Sequence, residues 1–541
     1  MRGSAADENP SGLLFRARAV SKLGDIVDST PRYEAAPGLP YPDSFGVGAP
    51  ETSYSAYQTT QINRTPVIYV GANDGMLHAF NATSSGGQEI FAYVPNGVFT
   101  NLNKLTSINY NSTHQFFVDG SPSVSDAFFA GTWHTLVAGG LNKGGKSIYA
   151  LDVTNPTSFG TSNVLWEFTD AADLGFTYSQ PAIVRMHNGH WVVVFGNGYN
   201  STNGKAVLFI RDLEDGTVTK IDTGVGVSTS ADGTTPNGLA TVAPVDVNGD
   251  TIVDYIYAGD LQGNMWKFDV TGNTAGSWGV AYNSGATKLP LFTACVASPC
   301  TLLNRQQITT RPDVAPKSGG GQIVLFGTGK YLESVDITRI SPTNTFYGIY
   351  DNNTPNASFV APVKSSLLQQ QVLQELTVSG SSFRTTSNNA LTNQPGWYIN
   401  LPTVAPPGTL PATGREMQVT DSVLRSGRIL FATLIPASDP CGFGGTSWLM
   451  ALDARTGSRL GISLFDVNGD GYFTSADFVT SGGITVPVSG RQSREGVVGT
   501  PTILGTGNGD LLIGSGSSGN LDVNKAENNS NKGRQSFHQL Q

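Results

Sequence analysis

Charge is scarce in this chain. Asp, Glu, Lys and Arg make up 13% of its 541 residues, against roughly 25% in an average domain. Long surface helices with salt-bridged faces are therefore not expected to dominate. The charge that is present is acidic, at net −9; the basic surplus of a nucleic-acid binder is missing, which argues against a nucleic-acid partner. No apolar run approaches the roughly 18 residues of a membrane-spanning helix, and no secretory leader is read at the N-terminus. Met1-Arg2-Gly3-Ser4 has the look of an expression-vector scar, so residues 1–23 are read as a tail and the chain as a fragment of something longer. Cysteine is nearly absent: Cys295, Cys300 and Cys441 are too few for a disulfide framework. Cys295 and Cys300 bracket Val-Ala-Ser-Pro. They either close one small ring, implying an oxidising compartment, or are unrelated surface thiols.

What is abundant is glycine, with 65 residues, alongside 39% hydrophobic and 9% aromatic residues. That apolar content is too high for a disordered chain and predicts a large core. The organising signal is repetition. Seven segments share a start, at Thr30-Pro31, Ser121-Pro122, Gln180-Pro181, Ala243-Pro244, Arg311-Pro312, Asp421-Ser422 and Thr500-Pro501. Proline is tolerated at the first residue of a strand because its missing donor faces outward. Each start leads to a stronger apolar run that usually closes on glycine, such as Val192–Gly196, Tyr255–Gly259 and Ile323–Gly327. Such runs fit strands buried on both faces. A third run ends on Asp or Asn, as in Leu77–Asn81, Ile148–Asp152, Val207–Asp212, Met265–Asp269, Phe346–Asp351 and Trp448–Asp453. An Asx-turn there can hold the tight connection onward. A fourth run often follows: Glu89–Tyr93, Val164–Phe168, Thr217–Ile221 and Trp278–Tyr282.

Four antiparallel strands repeated seven times predict an all-β fold, a modified seven-bladed β-propeller with inserted loops spanning 24–541 as one domain. The last blade can be completed by Asn520–Val523 and Arg534–Leu540, or partly by Leu13–Ala17. The insertions fall at 37–62, 95–118, 222–240, 272–306, 352–417 and 458–496, and Ser365–Leu376 within the fifth is the best helix candidate in the chain. Little helix is expected elsewhere. A β-sandwich array is the alternative, but it would not need a common start in every unit.

Two segments carry metal-ligand spacing. In the first, Asp246, Asn248, Asp250 and Asp254 occupy positions one, three, five and nine of an EF-hand-type loop, and Ile252 offers its carbonyl at seven. Three carboxylates within nine residues repel one another without a cation, and Ca2+ suits them because it accepts many oxygens in flexible geometry. The loop departs from the full motif, with Thr251 in place of Gly at position six and Tyr257 in place of Glu at twelve. Asp254 must therefore close the site, and a bidentate carboxylate is expected. The alternative is an Asx-rich turn without metal. In the second segment, Asp466, Asn468, Asp470, Tyr472, Thr474 and Asp477 fill positions one, three, five, seven, nine and twelve, with Gly471 at six. It resembles a dockerin calcium loop with Asp for the final Glu. It too can be a loop that stays empty.

Other constellations fail on inspection. The glycine-rich stretches lack the Gly-Lys-Ser/Thr of a phosphate loop. Gly514–Gly519 lacks the helix that follows a nucleophile elbow. His187 and His190 read as a solvated turn. Nothing else in the sequence resembles a catalytic set, and the chain is read as a non-enzyme.

Four segments carry a family resemblance: Gly24-Asp-Ile-Val-Asp-Ser-Thr-Pro31, Val70–Phe80, Asp246–Asp250 and Tyr257–Phe268. With the strand pattern, they resemble the C-terminal domain of the PilY/PilC family of type IV pilus tip-associated biogenesis proteins and adhesins, over nearly the whole chain from about residue 24. The resemblance implies a modified propeller at the cell surface, pilus-associated, with the outer membrane as a further place of attachment. It implies Ca2+ bound by Asp246, Asn248, Asp250, Ile252 and Asp254, and carries less far onto the second loop. It implies a regulator that counteracts pilus retraction and supports twitching motility and adhesion, with pilins or minor pilins as partners and a host receptor as a further one. Family members can carry an Arg-Gly-Asp integrin motif; none occurs here. The rival is a quinone-dependent propeller dehydrogenase, because Ala451–Gly457 and Ala79–Thr83 look like quinoprotein repeats. Those enzymes gather calcium and quinone from scattered residues, whereas the ligands here are consecutive, and no vicinal cysteine pair is present. A glycan- or receptor-binding adhesin is the third class.

Overall fold

All seven shared starts open a strand. The structure, a computed structural model, describes residues 8, 15–18, 21–45, 53–230, 233–297, 300–301, 303–338, 342–353, 367–401, 416–437, 444–506 and 509–526. Pro31, Pro122, Pro181, Pro312 and Pro501 immediately precede Arg32–Glu34, Ser123–Phe129, Ala182–Arg185, Asp313–Pro316 and Thr502–Thr506; Pro244 lies inside Ala243–Val245, and Ser422 precedes Val423–Arg425. The second strands are the buried ones. Every residue of Trp191–Gly196 and of Gln322–Gly327 is buried, as the continuous apolar runs require. All six Asx-turns at the third-strand ends form. Asn81, Asp152, Asp212, Asp269, Asp351 and Asp453 each accept the backbone N–H two residues on.

The chain falls into two compact units, residues 1–256 with 268–280, and residues 257–267 with 281–539, besides the last two residues, which group with the first. The first unit holds three four-stranded antiparallel blades: Arg32–Glu34, Val67–Ala72, Met76–Asn81 and Glu89–Tyr93; Ser123–Phe129, Thr132–Gly139, Ile148–Asp152 and Val164–Phe168; Ala182–Arg185, Trp191–Gly196, Val207–Asp212 and Val218–Asp222. It also holds Ala243–Val245, the opening strand of the fourth blade, and the loop after it. Its core is built from apolar faces of successive blades, Tyr69 and Leu77 with Val137 and Tyr149, then Trp133 and Leu136 with Trp191 and Phe195. The second unit holds blades five to seven, with blade six at Val423–Arg425, Arg428–Ala432, Trp448–Asp453 and Gly490–Gln492, and a three-stranded blade seven at Thr502–Thr506, Gly509–Ser515 and Leu521–Ala526. Cys295 and Cys300, also in this unit, are joined by a disulfide.

Several expectations are corrected. The helix expected at Ser365–Leu376 is instead two strands, Gln369–Gln371 and Leu373–Val378; Ser365 and Ser366 lie outside the described residues. Helical propensity loses here to pairing. Ser379 and Gly380, at φ +50° and +79°, form a two-residue hairpin turn. That turn pairs Leu373–Val378 with Ser381–Thr386, which joins Gly490–Gln492 on blade six. Buried Arg384 fastens the hairpin, forking onto Glu416 at 2.6 and 2.7 Å with its Cζ 3.9 Å from the Trp448 ring centre. Helix occurs elsewhere, at Tyr54–Thr60, Val335–Thr338 and the 3-10 segment Asn96–Thr106. The fourth strand expected at Trp278–Tyr282 shrinks to Gly279–Val280. Leu521–Ala526 completes blade seven as expected from Asn520–Val523, whereas Arg534–Leu540 and Leu13 and Leu14 lie outside the described residues, and Phe15 makes only an isolated bridge to Glu8.

Glycines at or just past the ends of the second strands share one physical cause. The chain enters each following blade by crossing the end of the strand it has left. A Cβ added at Gly71 would lie 2.3 Å from the Val118 carbonyl oxygen, at Gly140 2.5 Å from that of Thr177, and at Gly196 2.2 Å from that of Ala240. Gly259 against Ile308 and Gly327 against Gln418 repeat the crossing in the second unit. In all five pairs the crossing residue stands four positions before the Pro or Ser that starts the next blade. Gly196→Ala is therefore expected to destabilise the first unit by about 1–3 kcal/mol, the usual range for overpacking a tight contact. Gly276→Ala, at a site with nothing within 4 Å of an added Cβ, should be near neutral. Denaturant midpoints of the two variants check this; equal midpoints would refute the crossing constraint.

Candidate metal centre

The first loop links Ala243–Val245 to Tyr255, and its anchoring is local. Asp254 N–H bonds the Val245 carbonyl, and Val253 N–H bonds that of Arg185 on blade three. Inside it, each acidic side chain gathers backbone donors. Asp246 Oδ1 accepts from Asn248 N at 3.1 Å and Gly249 N at 2.7 Å, and its Oδ2 from Thr251 N at 2.6 Å. Asn248 Oδ1 accepts from Asp250 N at 2.9 Å, and Asp250 Oδ1 from Ile252 N at 2.8 Å. Asp254 Oδ2 accepts from Val247 N at 2.8 Å. Asp246 and Asp254 are buried, Asp250 is exposed.

The second loop, in the other unit, has the same internal pattern. Asp466 accepts from Gly469 N at 2.6 Å and Gly471 N at 2.8 Å, Asn468 from Asp470 N at 2.9 Å, and Asp470 from Tyr472 N at 2.8 Å. Asp477 Oδ1 accepts from Val467 N at 2.8 Å, and its Oδ2 from Thr474 N at 2.9 Å. Thr474 caps the short 3-10 turn Ser475–Asp477. Asp254 at position nine thus makes the closing bond to the second loop residue that Asp477 makes from position twelve. A loop three residues shorter closes on itself the same way.

The donor set suits a hard cation: carboxylates, a carboxamide and a peptide carbonyl, all oxygen. Among the described residues no Lys or Arg is ion-paired to Asp246, Asp250, Asp254, Asp466, Asp470 or Asp477; one imidazole pairs with Asp254, and Lys525 Nζ stands near Gly471 of the second loop without such a pair. Also among the described residues, no three His, Cys, Asp or Glu side chains form a ready cluster for a metal. In these loops a carboxamide and a carbonyl must supply part of any ligand set, and the carboxylates are turned toward N–H groups.

The imidazole is what sequence reading missed. His187 Nε2 lies 2.9 Å from Asp254 Oδ1, although 67 residues separate them. The turn that carries it also places His190 Nδ1 2.7 Å from Asp212 Oδ2. Neither histidine is the bare solvated turn residue its spacing suggested. No local signal could have found the His187 contact, because it exists only through the packing of blade three against the loop.

The chain matches the family model described as the PilY1 beta-propeller domain over residues 23–387. It is 36% identical over 566 aligned positions to the type IV pilus biogenesis factor PilY1 of Pseudomonas aeruginosa strain PAK, covering 97% of this chain and 44% of that protein. It is 38% identical to a PilY1 homolog of Xylella fastidiosa, covering 86% of this chain and 31% of that one. The chain therefore spans less than half the length of these relatives. Among solved structures it is similar to the Pseudomonas aeruginosa PilY1 C-terminal domain, with a TM-score of 0.68, 33% identity, and coverage of 88% of this chain and 95% of that one.

Position six separates the two loops. Thr251 sits at φ +68°, in the left-handed region, where the second loop has Gly471 at φ +81°. A β-branched residue there is strained. Thr251→Gly is expected to raise stability by up to about 1 kcal/mol, measured by denaturant unfolding in chelator. A lowered midpoint would mean that the bond from the Thr251 hydroxyl to the Asp250 carbonyl outweighs the strain.

Proposed function

The chain belongs to the PilY1 β-propeller family, and on that premise we propose that it is a calcium-binding, non-enzymatic regulator within a type IV pilus biogenesis factor. The observation that carries the reading is the first loop, where three carboxylates, a carboxamide and a carbonyl are folded into an EF-hand-type turn with no Lys or Arg among the described residues paired to them. Asp246, Asn248, Asp250, the Ile252 carbonyl and Asp254 would hold Ca2+, and the ion would supply the missing positive charge. The second loop, through Asp466, Asn468, Asp470, Tyr472, Thr474 and Asp477, is proposed as a second Ca2+ site on the same donor chemistry.

In this reading the ion is a switch. Binding draws the carboxylates together and holds the loop; without it, Asp254 is left to His187 and Val247 N–H. A ligand shifts an equilibrium only by its differential affinity for two states, so the readout needs a partner that tells the two loop states apart. We assign that role to the pilus machinery, pilins or minor pilins, at the cell surface. The ion-bound state would oppose retraction and so sustain twitching motility and surface adhesion.

Asp254→Ala is expected to weaken calcium binding at the first loop by more than about 100-fold, beyond the loss typical of removing only an outer-shell partner. The circular-dichroism spectrum should be unchanged. In cells carrying the variant in the full-length protein, surface pili should fall, and deleting the retraction motor should restore them. Unchanged affinity by calorimetry would refute the ligand assignment. Normal piliation and twitching with calcium binding abolished would make the ion structural.

A further inference from the structure

The Gly24–Pro31 segment crosses blade one and ends beside Asp119, at the entry to blade two. It is laced to that entry: Ser29 Oγ donates to the Gly120 carbonyl at 3.1 Å, Thr30 N to Ser121 Oγ at 2.9 Å, and Ser121 Oγ to the Asp28 carbonyl at 3.2 Å. The lacing brings two acidic residues, Asp28 and Asp119, side by side. Asp28 N–H donates to Asp119 Oδ1, so the two are direct neighbours at this entry, and neither carboxyl has a hydrogen to offer when ionised. Asp119 is 1% exposed. Its Oδ1 takes only long bonds, from Asp28 N at 3.3 Å and Asn73 Nδ2 at 3.4 Å. Its Oδ2 is buried with no hydrogen-bond partner among the described residues.

The surroundings make the charge worse. Asn73 Nδ2 also bonds Asp25 Oδ2, at 3.0 Å, and the next residue is Asp74. Four carboxylates, Asp25, Asp28, Asp74 and Asp119, share this corner. Their partners of opposite charge among the described residues are two histidines, His114 on Asp25 and His78 on Asp74. Neither Asp28 nor Asp119 has a positive partner there. Burial, then the neighbouring Asp28 charge, push the Asp119 carboxyl up to about 7, so the site stands ready to take positive charge near neutral pH. A buried carboxylate without compensation is expensive.

We propose that Asp28 and Asp119 together bind a hard divalent cation, at a site separate from both carboxylate loops. A shared proton would cancel one charge of the pair, whereas a divalent ion cancels both. The side-chain donors are oxygen, as Ca2+ and Mg2+ require, and a site with two carboxylates completed by water is the usual mode for Mg2+. Asp28 is exposed and gives the ion a way in, while Asp119 holds it from within. The ion would pin the Gly24–Pro31 segment to the entry of blade two.

Calorimetric titration of the chain with CaCl2, and separately with MgCl2, tests this. Asp28→Asn should lose one bound equivalent relative to the unaltered chain and keep the rest. Asp254→Ala should lose a different one, and the double variant both, so failure here is distinguishable from failure of the loop assignment. Asp119→Asn should match Asp28→Asn; if it fails to fold, the exposed Asp28→Asn still decides. The same number of equivalents in Asp28→Asn and the unaltered chain would overturn the proposal. So would a melting temperature that falls between pH 6 and 8 equally with and without cation and is levelled by Asp28→Asn, because that is the signature of a shared proton.

Discussion

Each blade of the first unit hands the chain to the next across the end of its own second strand, where a hydrogen fits and a methyl does not. Gly71, Gly140 and Gly196 meet the carbonyl oxygens of Val118, Thr177 and Ala240 at the places where a Cβ would stand. Much else follows from that crossing. It sets the distance between second strand and connecting segment, and so the depth at which the following Pro-led strand begins. The apolar faces of Trp133 and Leu136 then meet Trp191 and Phe195 at packing distance. The same crossing delivers Ala240–Val245 to the point from which the first carboxylate loop departs.

The two loops show how one turn chemistry tolerates different lengths. Position one collects the N–H groups of positions four and six, position three that of five, and position five that of seven, whether or not position six is glycine. What varies is the closing residue. Asp254 reaches the N–H of Val247 from position nine, and Asp477 reaches that of Val467 from position twelve. The shorter loop is held by burial and by His187, and the longer one by its own 3-10 turn. Backbone dipoles satisfy lone pairs but carry no net charge, which is why both loops keep an electrostatic demand that a cation would meet.

Elsewhere, particular buried charges are paired, and the insertions depend on them. Arg384 between Glu416 and Glu375, over Trp448, fixes the added hairpin to blade six. Lys267 meets Asp351 beneath the hydroxyls of Tyr257 and Tyr282. In the first unit Tyr54 donates to Asp126, tying the short helix Tyr54–Thr60 to blade two. Against those pairs, the carboxylates of the two loops, of which Asp254 meets an imidazole, and those of Asp28 and Asp119 stand out for having no Lys or Arg partner among the described residues.

The sequence by itself determined the repeat. Pro starts, buried runs ending in glycine and terminal Asx residues are local signals, each with a local cause, and they located all seven starts and all six Asx-turns. The spacing of Asp246, Asn248, Asp250 and Asp254 was legible for the same reason, since a turn's hydrogen bonds run between residues close in sequence. Tertiary structure alone decided the rest. Leu373–Val378 became a strand because blade six offered an edge through Ser381–Thr386, and a pairing with Gly490 is invisible to local propensity. His187 met Asp254, and Asp28 met Asp119, because packed blades bring together residues far apart in the chain. The electrostatics of both meetings come from burial, which no residue carries in its own sequence neighbourhood.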